Sequence, residues 1–278
     1  MYKSKLSEEK FTKNSNDKFS LIKDNLFFRN ISFQKFQILK MISFLVRDKN
    51  WNNYNPKIIN YEESFDTSLK YIFDLEYGVD EIFKTKNIIL FSENSIILSS
   101  IGKFLTNFWT NRIGFNLLIP LENHVGCNIS LTKQDGEIEE KQFPDLIKPD
   151  QPFFKFKNLS YTLGNSLLIN INFEGVLFEM EDQRNWGDAS YKIYSGSLLD
   201  PFPYMEKLGS HFSQIIKIDV ANKKERSFPS NKVTMLDESI SYKFPEIGIK
   251  IDSLNFPKEN LINSFDYYYY LIDFTKHL

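Results

Sequence analysis

The residues best equipped for chemistry lie in one short stretch, FEMEDQRNWGDASYKIY, from Phe178 to Tyr194. It holds the carboxylates Glu179, Glu181, Asp182 and Asp188, the cations Arg184 and Lys192, two amides and Trp186. If the stretch runs on as a strand to Trp186, then Glu179, Glu181 and Gln183 share one face, and Met180, Asp182, Arg184 and Trp186 the other. Carboxylates two residues apart on a strand stand about 7 Å from one another, inside the range used by two-carboxylate glycosidases. Any Glu-x-Glu strand meets that condition. The competing reading is structural. Arg184 forms a bidentate pair with Asp182 or Asp188, Trp186 covers it, and Glu179 and Lys192 hold neighbouring loops. Such networks fix one arrangement of a loop or domain interface rather than carrying out chemistry. On this reading Glu181, Asp182, Arg184, Trp186, Asp188 and Lys192 form a structural polar motif, while Glu179 and Glu181 stay as catalytic candidates.

Other chemistries find less support. Glu179, Glu181, Asp182 and Asp188 are hard-cation ligands by type, but calcium-loop spacing is missing, and three histidines (His124, His211, His277) do not make a zinc site. No metal and no cofactor is expected. Cys127, in HVGCNISL, reads as a small buried hydrophobe on a strand rather than a nucleophile. Neither a G-x-S-x-G elbow, nor a phosphate loop, nor a dinucleotide fingerprint is present.

The elements that must position these groups are strands. SLKYIFDLEYG alternates Leu69, Tyr71, Phe73, Leu75 and Tyr77 with Lys70, Ile72, Asp74 and Glu76, the pattern of a strand with one buried face. ISFLVRD, LLININF and HFSQIIKIDV repeat it less cleanly, and turn signals fall between at YNPK (54–57), EYG (76–78), SEN (92–94), KQDGE (133–137), FPDLIKPDQP (143–152) and TLGN (162–165). Many short strands with little helical periodicity predict a mainly β, antiparallel sandwich over 19–225, after a mobile lead-in at 1–18. A linker is expected at 226–243. Over 244–278 the order becomes strand (EIGIKIDSL), helix (FPKENLINSF) and strand (DYYYYLIDF), and the near-continuous apolar character of the last strand suits a parallel sheet.

Charge and length narrow the function classes. Across 278 residues, 34 Lys and Arg against 36 Asp and Glu leave a net charge of -2, which disfavours nucleic acid as a partner. Apolar runs such as NIILF are far short of the roughly 20 residues of a membrane span, so no membrane association is expected. A single cysteine and a start without an apolar secretory core favour a cytoplasmic location.

Several islands, taken in order, resemble the N-terminal part of the D-apionate lactonase family of bacterial sugar-acid lactone hydrolases. They are FLVRDKNW (44–51), NRIGFNLLIP (111–120), FPDLIKPDQPF (143–153), FEMEDQRNWGDASYKIY (178–194), DPFPY (200–204) and FPEIGIKID (244–252). EDQRNW followed by DAS is the most specific of them. The chain departs from the family pattern at Ile119, where a histidine usually precedes the proline, and at Gly187, where threonine usually stands. The resemblance implies a supersandwich-like β domain followed by a TIM-type barrel, of which this chain would carry only a truncated β-α-β start at 244–278. It also implies a small sugar-acid lactone or carbohydrate as ligand and a separately encoded barrel domain as a possible partner. Lactone opening needs an activated water or side-chain nucleophile, a base, and donors aimed at the developing oxyanion. In barrel enzymes these sit at the C-terminal ends of strands, which singles out Asp252 and Asp273. The expectation is thus the N-terminal portion of a lactone hydrolase, inactive alone. The alternatives are a non-catalytic carbohydrate-binding or scaffolding sandwich, or part of a glycosidase-like barrel enzyme.

Overall fold

The structure is a computed structural model that describes residues 12–223, apart from 80 and 165, and the backbone of residues 248–250 and 267–269. The chain divides into two compact units, Met1–Glu225 and Arg226–Leu278.

The first unit begins with β1 (Thr12–Ser15), β2 (Phe19–Asp24), β3 (Phe27–Phe33) and β4 (Phe36–Asp48). Four strands follow: β5 (Lys57–Phe65), β6 (Leu69–Tyr77), β7 (Phe83–Phe91) and β8 (Ser95–Phe104). Then come β9 (Phe108–Pro120), β10 (Asn128–Lys133), β11 (Ile138–Gln142), β12 (Phe153–Leu163) and β13 (Leu167–Glu174). The last four are β14 (Phe178–Asp182), β15 (Ser190–Ser195), β16 (Tyr204–Glu206) and β17 (His211–Asn222). One arm of the sheet runs β1-β2-β3-β4-β9-β15-β14 and continues into β12; from there the other runs β13-β17-β8-β7-β6-β5. Every strand pairing described in this unit is antiparallel. Among the described residues the one helical segment is a 3-10 turn at Gln183–Trp186. No described helix is long and apolar enough to cross a membrane.

The two arms face one another and bury their aromatic side chains between them, which makes a sandwich. Phe28 on β3 sits edge-on to Tyr71 on β6 with centroids 4.8 Å apart, and Phe44 on β4 meets Phe212 on β17 at 5.8 Å. On β6 the five alternate positions from Leu69 to Tyr77 are all buried, as a period of two with one face in the core requires. β9 does not alternate: eight consecutive residues from Thr110 to Leu117 are buried, because this strand is covered on both faces.

Thr12–Ser15 pairs with β2 in register Thr12 with Lys23 to Ser15 with Ser20, so a strand lies where the sequence suggests a mobile lead-in. Asn14 explains the anchorage, since its amide donates to the buried Tyr71 hydroxyl at 2.6 Å. In the second unit, Gly248–Lys250 (β18) and Tyr267–Tyr269 (β19) pair in parallel, Ile249 opposite Tyr268. The linker at 226–243, the helix between these strands, and Asp252 and Asp273 lie outside the described residues.

Candidate functional site

β14 and β15 form a hairpin with Glu179 opposite Tyr194, Glu181 opposite Lys192 and Asp182 opposite Tyr191. Extended structure stops at Asp182, whose carboxylate accepts from the Arg184 N–H and caps the 3-10 turn; Gly187 ends that turn with φ +77°, a conformation suited to glycine. Face alternation therefore fails beyond Asp182. The side chain of Arg184 turns back onto Asp182, donating from Nε at 2.9 Å and Nη2 at 2.7 Å, and reaches the carbonyls of Pro144, Asp145 and Leu146 at 3.0, 2.6 and 3.1 Å. The Lys148 N–H also donates to Asp182, and Asn185 donates to the Lys148 carbonyl. Together these bonds clamp the connection between β11 and β12 onto the β14–β15 hairpin. Burial works to raise the Asp182 carboxyl, yet Arg184 and the two backbone N–H groups hold it below its ordinary range.

On the opposite face of β14, Glu181 accepts from Lys192 Nζ at 2.6 Å, Trp186 Nε1 at 2.9 Å and Gln183 Nε2 at 2.9 Å. Here too burial is outweighed, chiefly by Lys192 and the indole N–H, and the carboxyl is held below its ordinary range. Glu179 is fully buried; it accepts from the Tyr194 hydroxyl, from Ser197 Oγ at 2.6 Å and from the Leu198 N–H at 2.9 Å. The loop after β15 is thereby tied to the strand. Burial and the bond to Glu179 push the Tyr194 phenol up.

A cleft of about 550 Å³ opens beside that loop. Its origin lies in β9, whose one edge pairs with β16 at Phe108–Thr110 and with β15 only from Asn116 onwards. Side chains fill part of the gap: Ser195 Oγ donates to the Ile113 carbonyl at 2.6 Å, and Gln214 Oε1 accepts from the Phe115 N–H at 2.7 Å. Gly114 lies between them at φ +136°, and a Cβ there would stand 2.5 Å from Ser195 Oγ. Asn111, Arg112, Ser197, Phe202 and Tyr204 line the opening. Arg112 is only 7% exposed, lies 3.6 Å from the centroid of the Tyr194 ring, and stands opposite Arg47 in the β4–β9 register. Both arginines also lie over Trp51, at 5.3 Å for Arg112 and 5.8 Å for Arg47.

The structure thus joins Asp182 to Arg184 and Glu181 to Lys192, but gives Asp188 a different partner, Lys40, together with Ser190 Oγ. Trp186 does not cover the Arg184–Asp182 pair; it is 75% exposed and bonds to Glu181, because the 3-10 turn swings it away from the strand. Lys192 likewise holds a carboxylate rather than a loop. Glu179, Glu181, Asp182 and Asp188 each take separate partners and do not converge on one point. His124 is buried, with Nδ1 2.9 Å from the Glu122 carbonyl and Nε2 3.3 Å from the Tyr161 hydroxyl, whereas His211 is exposed at the start of β17. Cys127 is half-buried in the loop before β10, its thiol donating to the Asn123 carbonyl. Arg47, Arg112 and Trp51, which lie in FLVRDKNW and NRIGFNLLIP, are not among the candidate groups that the sequence pattern singles out. The available signal was an arginine inside two otherwise apolar strands.

The sequence profile described as D-apionate lactonase, N-terminal domain, matches residues 1–223. A D-apionate lactonase from Brucella anthropi is 31% identical over 232 residues, which make up 80% of this chain and 38% of that protein. The chain therefore spans well under half the length of that curated relative. Among solved structures, the Slr1438 protein from Synechocystis sp. PCC 6803 aligns with a TM-score of 0.55 at 10% identity, over 80% of this chain and 100% of that one. A beta-arabinopyranosidase aligns with a TM-score of 0.51 at 11% identity, over 74% of this chain and 39% of that one. At such identities the likeness concerns the sandwich fold alone.

Proposed function

The chain belongs to the D-apionate lactonase N-terminal domain family, and from that premise we propose that it forms the N-terminal β-sandwich portion of a hydrolase opening sugar-acid lactones of the D-apionolactone type. The profile match over residues 1–223 carries this reading. The geometry refines it. Opening a lactone needs a base that activates water and donors for the developing oxyanion. In the sandwich, Glu179 accepts from three donors, Glu181 from three, and Asp182 from Arg184 and the Lys148 N–H. Glu181 and Asp182 are poor bases, because taking a proton breaks bonds that favour the charged form, and both oxygens of Glu179 are already bonded. The sandwich accordingly frames and binds the sugar acid, and the reacting groups come from the rest of the lactonase, with a barrel domain as partner. Asp252 and Asp273 are this chain's own candidates for facing the lactone carbonyl.

The test is proton release from D-apionolactone and other aldonolactones, corrected for spontaneous hydrolysis, with the chain alone and with the product of the adjacent downstream reading frame. Hydrolysis in the combination only is the expected result. Turnover by the chain alone would overturn the division of labour. Sugar binding without turnover in either sample would replace the reading with that of a non-catalytic sandwich, and cleavage of aryl glycosides would point to glycosidase chemistry.

A further inference from the structure

Three cations lie near one another, and of these Arg112 lines the cleft: Arg112, Arg47 and Lys192 each enter the electrostatic surroundings of at least one of the others. Two carboxylates, Glu179 and Glu181, face the same group, and among the described residues Lys192 alone of the three cations makes an ion pair, with Glu181. Among the described residues neither arginine has a carboxylate within ion-pairing distance, and the buried Nε atoms of Arg47 and Arg112 both lack an acceptor. A guanidinium that is more than nine-tenths buried, stacked on a tyrosine, without a carboxylate partner and lining a cleft is completed by an anion reaching it from that cleft. The remaining acidic groups of the cleft do not fill it. Asp200 pairs with Lys155, and Glu206 accepts from Ser210 Oγ. The surroundings also offer what hydroxyl groups require. Asn111, Ser197 and Tyr204 bring polar side chains to the cleft lining.

We propose that Arg112 and Arg47 form a seat for the carboxylate of a small polyhydroxy acid, at the gap in the sheet between β15 and β16. A planar carboxylate matches the fork of a guanidinium, the hydroxyls on the adjacent carbons meet Asn111 and Ser197 in the cleft lining, Tyr204 walls the site, and Trp51 backs the Arg112 guanidinium. The ligand is therefore the opened acid, not the neutral lactone. Only the choice of a sugar acid among small carboxylates rests on the lactonase reading.

The experiment is isothermal titration calorimetry on the full chain with three probes: D-gluconate, the neutral D-gluconamide, and inorganic phosphate. Gluconate is expected to bind, gluconamide to bind at least about tenfold more weakly, and Arg112→Lys, which keeps the charge and loses the fork, to weaken gluconate by about tenfold. Arg47→Gln, at a less buried position, serves should Arg112→Lys fail to fold, and is expected to weaken gluconate in the same sense. Equal binding of gluconate and gluconamide overturns the proposal, as does no gluconate binding at all or no effect of either variant. Phosphate binding as tightly as gluconate overturns the carboxylate assignment. Since no turnover is measured, gluconate binding without lactonase activity would refute the function proposed above and leave the seat standing; activity without gluconate binding would do the reverse.

Discussion

Replacing Arg184 by alanine removes five hydrogen bonds, two to the Asp182 carboxylate and three to the carbonyls of residues 144–146. Asp182 is fully buried and would keep only the N–H groups of Arg184 and Lys148 as donors. Stripping one partner from a buried ion pair costs roughly 3–5 kcal/mol. The guanidinium has 15% of its side chain exposed and the loop carbonyls can take water, so the low end, about 3 kcal/mol, applies. For a domain of this size that is a fall in Tm of about 6–12 °C. Trp186→Ala is the control, removing one bond from an exposed side chain, and should shift Tm by less than about 2 °C. Acid provides a second check. Because the Asp182 carboxyl titrates below its ordinary 3.8 in the folded state, the contribution of the pair is complete above that value and is lost as pH falls through the folded one. The gap in Tm between wild type and Arg184→Ala should therefore narrow between pH 7 and pH 3, as differential scanning fluorimetry would show. A loss no larger than that of Trp186→Ala, or a gap independent of pH, would refute the clamp as a source of stability.

Glu179→Gln puts an amide NH2 among three donors and should cost about 2 kcal/mol, with faster hydrogen exchange at the Leu198 amide; unchanged protection there would count against the anchor. Gly114→Ala brings a Cβ within 2.7 Å of both Ser195 Oγ and Gln214 Nε2 and should cost about 2 kcal/mol or more in thermal unfolding. Gly136→Ala, also at positive φ but with open space around it, should cost visibly less. Burial pushes His124 from its ordinary 6.5 down to about 4, so its imidazole NMR titration should have a midpoint near 4. The unfolded chain takes up that proton at higher pH, so His124 makes stability fall as pH drops from 6.5 towards 4; a midpoint near 6 would show the ring to be accessible.

The strands with one buried face were legible because a period of two records which side meets the core, as on β6. β9 was harder to read, since a strand covered on both faces loses the alternation. Within the polar motif, Arg184 and Asp182 are near enough in sequence for their pairing to be considered in advance. The position of Trp186 was not legible, because the capping by Asp182 that ends the strand leaves no mark in the alternation. Arg47 and Arg112 lie on strands with four others between them in sequence. Only the β4–β9 register brings them together, and periodicity says which face a residue occupies, not which strand lies alongside.

The split edge of β9 bears on how this surface can change over generations. The rim of the cleft, residues 196–203, is a connection whose two ends, β15 and β16, are both pinned to the same strand. Beyond Ser197 and Leu198, which hold the buried Glu179, changing that connection shifts no register, so residues 199–203 can be reshaped at little thermodynamic cost. Arg112 sits on the strand itself and does not share that freedom. The arrangement separates a floor fixed by strand register from an adjustable rim, so that the shape of the opening can change while Arg112 stays in place beneath it.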